Sequence, residues 1–224
     1  MEMGKDKLKR FSEIKTFDNV LQPNVTHDID HPIKGKWHDK FNNKQPITLE
    51  LGCGRGEYTV GLAQKFPKIN FIGIDIKGAR LWRGAKTAKE NNLNNVKFLR
   101  TKVDFINHFF SKNEVNEIWL TFSDPQPKKP RKRLTSPLFI ERYQNILSKN
   151  GIIHLKTDSD LLYEYTIEQI KENNYLTIDN LSDIYNEFDS LGEEIQSVLG
   201  IKTFYEEKWL EEGKKIKYIS FRIN

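Results

Sequence analysis

Ile47-Thr48-Leu49-Glu50-Leu51-Gly52-Cys53-Gly54-Arg55-Gly56-Glu57 is the stretch on which the reading of this chain turns. A short apolar and β-branched run ends in three glycines at alternate positions, and a helical pattern follows at once. Glycine serves where backbone must take φ > 0 or pass close to a ligand. A strand, a glycine turn and a helix N-terminus together form a nucleotide-type site at the carboxyl end of a sheet. The spacing G-x-G-x-G is one residue short of the dinucleotide fingerprint. Glu50 stands two residues before the first glycine, so the turn is expected to face a cationic or hydroxyl-bearing ligand more than a pyrophosphate.

Outward from this turn the chain alternates strand and helix. Tyr58, Leu62 and Phe66 line one helix, which stops before Pro67. Asn70 to Asp75 reads as a second strand, and about Lys77 to Asn91 as a helix with Ala79, Trp82, Ala85 and Ala88 on one face. Val96 to Arg100 is a third strand, followed by Asp104 and a short helix around Phe105, Ile106, Phe109 and Phe110. Glu117 to Phe122 is a fourth. Ser136-Pro137 then opens a helix whose stripe is Phe139, Tyr143, Ile146 and Leu147, closing at Asn150-Gly151. Ile152 to Thr157 and Tyr175 to Asp179 are further strands, with a helix between them running to about Asn173. Residues 181–200 read as a helical insertion. Thr203 to Trp209 and Ile216 to Ile223 flank Glu212-Gly213 as an expected hairpin. Residues 1–45 show no clear periodicity: Lys5, Lys7, Lys9, Arg10 and Lys15 make their start basic, and Pro23, Asn24, Asp28, Asp30, Pro32 and Gly35 make the remainder loop-like. The expected organisation is an N-terminal extension, 1–45, and one α/β domain, 46–224, with a mostly parallel sheet and an antiparallel end.

Composition narrows the function classes. The 224 residues hold 37% hydrophobic residues and 26 aromatics, enough for a core. No apolar run approaches the ~18 residues of a membrane span. The opening residues are charged and carry no apolar leader. The single cysteine, Cys53, excludes an internal disulfide and fits a reducing compartment. The expected location is therefore the cytoplasm. Histidines 27, 31, 38, 108 and 154 have no metal-ligand spacing, and no metal site is expected. The net charge is +5, and Lys128-Lys129-Pro130-Arg131-Lys132-Arg133 contains five basic residues, so the formal excess equals this one cluster. It reads either as a solvated loop or as a localised polyanion site.

Acidic residues recur where strands end: Glu50, Asp75, Asp104, Asp124 and Asp158. Each alone can be a cap or turn residue. Together they suggest one carboxylate-lined rim, because ligands bind beyond the carboxyl ends of parallel strands. Asp75 lies 19 residues after Gly56, about the offset at which such folds place an acid on a ribose.

At this point the residues carry a resemblance. Leu49 to Gly56, Gly73-Ile74-Asp75 and Phe122-Ser123-Asp124-Pro125-Gln126-Pro127-Lys128-Lys129 are similar to the motifs of the bacterial tRNA (guanine-N7-)-methyltransferase family. The glycine turn is shared by many S-adenosylmethionine enzymes, whereas the F-x-D-P-x-P-K-K segment is far more specific. Leu155 to Asp158 and Thr203-Phe204-Tyr205-Glu206 resemble further family motifs in the right order. Ser123 and Gln126 depart from the pattern, standing where the family often has Pro and Trp. The likeness covers roughly residues 45–224. It implies a Rossmann-like class I methyltransferase fold, α/β, with a seven-stranded mostly parallel sheet, an antiparallel last strand and helices on both faces. It further implies S-adenosylmethionine as cofactor, held at Glu50, Gly52, Gly54, Asp75, Asp104 and Asp124. Asp124 would be the active-site acid between cofactor and target base. Lys128, Asp158, Thr203, Phe204, Tyr205 and Glu206 match substrate-binding positions. Lys129, Arg131, Lys132 and Arg133 would contact RNA phosphates. The substrate would be the guanine at position 46 in the variable loop of tRNA.

The chemistry suits these residue types. Guanine N7 carries an in-plane lone pair and no proton, so no general base is needed to expose it. The main task is to hold that nitrogen in line with a methyl group ~3 to 3.5 Å away. Two other classes share parts of the pattern. An NAD-dependent oxidoreductase has the same β-turn-α-β-acid layout, but the shortened glycine spacing and Glu50 argue against it. A noncatalytic RNA-binding protein on this fold would be marked by lost carboxylates, and all five rim acids are present. A methyltransferase with another substrate is the third alternative.

Overall fold

The computed structural model describes residues 2–23 and 29–223, with side chains from residue 7. Asn24 and Asp28, read above as loop formers, lie outside the described residues. The chain divides into two units, Met1–Ser111 and Lys112–Asn224.

The first unit opens with α1 (Glu2–Glu13), where the sequence showed no periodicity. Its Lys, Leu and Arg residues are good helix formers, but twelve residues alone are marginal in water. Packing on α4 supplies the rest. β1 (Val20–Leu21) follows, then α2 (Trp37–Phe41), whose Trp37 is buried and donates its indole N–H to the Phe109 carbonyl at 2.9 Å. β2 (Ile47–Leu51) is buried at all five positions. Such unbroken burial marks a parallel strand covered on both faces. α3 (Glu57–Lys65), β3 (Asn70–Ile74), α4 (Gly78–Glu90) and β4 (Val96–Leu99) complete two βαβ steps. The four strands run parallel in the order β1-β4-β3-β2.

The buried face of α4 is Gly78, Leu81, Gly84, Ala85 and Ala88, not the stripe through Ala79 and Trp82. Trp82 turns instead toward α1: its indole N–H donates to Glu13 at 2.9 Å, and the Arg10 guanidinium lies 5.1 Å from its ring centre. Glu13 also pairs with Lys86 at 2.9 Å. The aromatic on this helix stripe thus marks the seat of α1.

The second unit runs β5 (Val115–Thr121), α5 (Pro137–Gln144), β6 (Leu147–Thr157), α6 (Asp160–Glu172) and β7 (Leu176–Leu181). The expected helical insertion follows as α7 (Ile184–Glu187), a 3-10 turn and α8 (Glu193–Leu199), then α9 (Phe204–Glu211) and β8 (Lys217–Arg222). The strand order is β5-β6-β8-β7. β5 and β6 are parallel, and β8 is antiparallel to both neighbours.

Two expectations for this unit and one for the strand count of both units are corrected. Asn150-Gly151 does not end a helix: α5 stops at Gln144, and Leu147 already pairs with Val115 of β5. The next residues form an irregularity, since Glu117 pairs with Ile152. Thr203 to Trp209 is not a strand. The Thr203 hydroxyl accepts from the Glu206 N–H while the Glu206 carboxylate accepts from the Thr203 N–H, a capping box that starts α9. Glu212-Gly213 therefore ends a helix and turns no hairpin. Finally, the described strands number eight, four in each unit, where seven were expected. The two-residue β1 is too short to leave a pattern.

Candidate functional site

In the first unit the glycine turn is fastened to the end of β3. The N–H groups of Gly52 and Cys53 both donate to the Ile74 carbonyl, at 2.8 and 3.0 Å. Gly52 and Gly54 hold φ of 77° and 56°, and a Cβ on either would meet nothing within 4 Å. Their conformation demands glycine, and the space beside them is open. Gly56 is different: a Cβ there would come within 2.7 Å of the Phe98 ring and 3.2 Å of the Gly84 Cα. Gly56 and Gly84 let α4 lie directly against the turn.

Asp75 reaches the turn from the end of β3. Its Oδ2 accepts from the Gly54 N–H at 3.0 Å and its Oδ1 from the Lys77 N–H at 2.6 Å. The carboxylate thus fixes both the loop and the entry to α4. Glu50 is buried, and its Oε2 accepts from the Thr59 N–H at 2.8 Å and from the Thr59 hydroxyl. It bolts β2 to α3. Nothing in the spacing pointed to Thr59 as its partner. Asp104 lies half-buried on the 3-10 turn Val103–His108 after β4. Cys53 is buried, and desolvation, with Glu50 and Asp75 nearby, raises its thiol pKa well above the usual value. It is a packed thiol, not a nucleophile.

These features suit an S-adenosylmethionine-type ligand. Open space lies over two glycines, the turn is held in shape by the Ile74 carbonyl and Asp75, and the Asp75 carboxylate stands at the strand end where ribose hydroxyls would be held.

In the second unit the chain leaves β5 through strained backbone. Phe122 and Gln126 adopt φ of 48° and 45°, a region non-glycine residues occupy at a cost of about 1 to 3 kcal/mol. Asp124 lies exposed between them, its Oδ1 accepting from the Gln126 N–H at 2.9 Å. Phe122 N–H donates to the Lys156 carbonyl of β6, so Asp124 and Asp158 follow the ends of adjacent parallel strands. The basic cluster is folded into the 3-10 turn Pro130–Lys132. Lys128, Lys129, Arg131 and Lys132 are exposed.

Arg133 is not: it is 5% exposed, donates to the Pro125 carbonyl at 2.9 Å, and lies 4.4 Å from the Tyr165 ring centre. This corrects the expectation that all of the cluster faces RNA. Arg133 braces the Asp124 loop from beneath.

The Thr203 to Glu206 segment divides in the same way. Phe204 and Tyr205 are exposed, by 50% and 41%, whereas Thr203 and Glu206 are buried. Glu206 is fully buried against Lys156, which lies within 2.7 Å and also donates to the carbonyls of Leu199 and Ile201 at 2.7 and 3.0 Å. Tyr185 donates its hydroxyl to Glu206 at 2.7 Å. Burial lowers the Lys156 pKa to about 8, although Glu206 opposes the shift. Glu206 is therefore part of the frame and is closed to a substrate in this conformation. Lys156, missed from sequence, is the apolar-strand lysine that a reading by solvated charge passes over. Asp158 lies 3.9 Å from Lys214. Among the described residues no helix is long and apolar enough to cross a membrane, and no three His, Cys, Asp or Glu side chains gather as metal ligands.

The glycine turn, the acid on the next strand and a late antiparallel strand set between two others define a class I S-adenosylmethionine-dependent methyltransferase. A family model described as a putative methyltransferase matches residues 44–219. Curated relatives carry a narrower name. Proteins called tRNA (guanine-N(7)-)-methyltransferase from Bacteroides fragilis, Christiangramia forsetii and Porphyromonas gingivalis are 49%, 50% and 52% identical to the chain. These matches cover 99%, 98% and 94% of this chain and 87%, 99% and 86% of the relatives. The chain belongs to the tRNA (guanine-N(7)-)-methyltransferase family. Among solved structures, the 16S rRNA methyltransferase KamB has a TM-score of 0.65 at 12% identity, covering 90% of this chain and 97% of that one. The 30S ribosomal A1408 methyltransferase from an uncultured bacterium has a TM-score of 0.59 at 16% identity, covering 91% and 98%. At such identity the likeness concerns the fold.

Proposed function

We propose that this protein transfers the methyl group of S-adenosylmethionine to N7 of the guanine at position 46 of tRNA, in the cytoplasm. The observation that supports the reading is the 49–52% identity, over nearly the whole chain, to proteins named tRNA (guanine-N(7)-)-methyltransferase, while position 46 and the cytoplasm come from the motif resemblance and the composition. The methyltransferase domain is assigned to residues 46–224, with 1–45 as its extension. Gly52, Gly54, Asp75 and Asp104 are the residues assigned to the cofactor, with Glu50 holding the strand and helix that shape the turn. When bound, the cofactor supplies an electrophilic methyl on a cationic sulfur.

The chain's own work is positioning. Asp124 is assigned to the target base: its carboxylate accepts hydrogen bonds from guanine's ring N–H and amino group. Adenine lacks that pair of donors and would leave the carboxylate unpaired once the base covers it. The Gln126 N–H and the Arg133 brace hold Asp124 in place before the base arrives. Lys128, Lys129, Arg131 and Lys132 are assigned to phosphates near the base, which must leave its stack to enter a pocket. Asp158, Phe204 and Tyr205 complete the proposed substrate contacts, the two aromatics offering faces on which bases stack. Thr203 and Glu206 serve the same surface indirectly by fixing the start of α9.

The test is incubation of total tRNA with methyl-labelled cofactor, then nucleoside mapping. Label in 7-methylguanosine at position 46 is expected. Label in another nucleoside, or none, overturns the reading.

A further inference from the structure

Charge is divided unevenly between the units. Residues 1–111 contain 20 Lys and Arg against 12 Asp and Glu, a formal +8. Residues 112–224 contain 16 against 19, a formal −3, although they include the basic loop. The polyanion-attracting excess thus belongs to residues 1–111, outside the unit that carries the basic loop.

α1 and the start of α4 carry a concentrated part of it. Phe11 meets Gly78, the first residue of α4, where its ring lies 3.1 Å from the position of a Gly78 Cβ. Glu13 meets Trp82 and Lys86, one and two turns further on. The two helices therefore run in the same direction, and residues before Phe11 extend past the first turn of α4. At 1.5 Å per residue, Lys7 lies ~6 Å beyond Phe11. What precedes α4 is Asp75-Ile76-Lys77, the edge of the glycine-turn site.

Lys7 shares the i, i+4, i+7 stripe of Phe11 and Ile14. Burial along that line falls from Ile14, 1% exposed in the 3-10 turn after α1, through half-buried Phe11 to exposed Lys7. Lys9, Arg10, Lys77 and Arg80 are exposed beside it, Arg10 with its guanidinium 5.1 Å from the Trp82 ring centre. None of the five forms an ion pair with a described carboxylate, although Lys9 contributes to lowering the Glu13 pKa. Rim carboxylates repel a phosphate backbone, so RNA brought to this edge requires cations placed just outside it.

We propose that the overhanging turns of α1, with Lys77 and Arg80, form a second phosphate-binding track for the substrate tRNA, separate from the loop at 128–132. The proposal rests on the tRNA reading above.

The full chain is tested by filter binding of unfractionated tRNA across a salt series. Lys7→Ala/Lys9→Ala/Arg10→Ala should flatten the slope of log K against log salt by about 2 to 3, at 0.7 to 0.9 per phosphate contact. Its S-adenosylmethionine affinity by calorimetry should match the parent. Lys7→Arg/Lys9→Arg/Arg10→Lys should restore the slope, because counterion release depends on charge. An unchanged slope in the alanine variant overturns the track. So does a joint loss of cofactor affinity, which would make α1 a scaffold only. Leu8 is 72% exposed among these cations. If the alanine variant loses binding to anionic lipid vesicles while its tRNA slope is intact, the surface is a membrane contact and the proposal fails. Failure of the tRNA reading itself shows separately, as absence of 7-methylguanosine with the unaltered protein.

Discussion

Asp75 does two things with one side chain. It ties Gly54 to the start of α4, and it presents a carboxylate where a ribose is expected. Asp75→Ala should weaken S-adenosylmethionine binding by about 1 to 3 kcal/mol, the range for charge-assisted hydrogen bonds. Calorimetry on the folded variant would remove Asp75 from the site if affinity were unchanged. Asp124 should behave differently, because its assigned partner is the base: Asp124→Asn should lower turnover far more than tRNA binding. Single-turnover kinetics beside filter binding separates the two, and wild-type turnover would end the assignment. The glycines and strand-end acids were legible because their roles depend on backbone geometry and position in a βαβ unit. Thr59 under Glu50 and Tyr165 under Arg133 were not, because both contacts depend on which way a side chain turns. No one-dimensional pattern encodes that.

Among the elements, β2, β3, β4 and α6 were readable from periodicity and breakers, while α1 and α9 were not. α1 has only Met3, Leu8 and Phe11 as large apolar residues, too few and too unevenly spaced to show a helical stripe. α9 carried a legible T-x-x-E signature, but the aromatic run Phe204-Tyr205 suggested a strand. Two contacts between elements invite tests. Gly84→Ala would place a methyl 2.6 Å from the Arg55 carbonyl and 2.9 Å from the Gly56 Cα. Overpacking of this kind costs about 1 to 3 kcal/mol. Because the strain falls on the glycine turn, cofactor affinity should drop together with the denaturant midpoint. Lys156→Met should destabilise by about 3 to 5 kcal/mol, since it leaves Glu206 buried without its cation. The pH dependence has a defined sign. Lys156 in the folded chain has a pKa near 8, below the ~10.4 of an unfolded lysine. Between those values the unfolded state binds more protons, so this group's contribution to stability rises with pH. Urea midpoints from pH 7.5 to 9.5 should show a rise in the parent that is absent from Lys156→Met.

At the scale of the whole molecule, the sequence placed the net charge in one loop, because five basic residues there equal the formal excess. The structure separates that arithmetic into different physical roles. Lys129, Arg131 and Lys132 are exposed at and just before the 3-10 turn, while Arg133 points inward to Pro125 and Tyr165. Two variants should therefore diverge. Lys129→Ala/Arg131→Ala/Lys132→Ala should keep its melting temperature and cofactor affinity, while the salt slope of tRNA binding flattens by about 2 to 3. Arg133→Ala should leave that slope nearly intact, since it removes no phosphate contact. It should instead cost stability, through one hydrogen bond worth about 0.5 to 1.5 kcal/mol and a desolvated cation–π contact of about 2 kcal/mol. Loss of that brace should also lower turnover, because the Pro125 carbonyl it holds follows Asp124 directly. A solvated loop predicts no slope change in the first variant. A cluster used entirely for RNA predicts that Arg133→Ala flattens the slope by about one unit without a change in melting temperature. Thermal melts and filter binding on the same two preparations distinguish these outcomes, since melting reports the inward arginine and salt dependence reports the outward three.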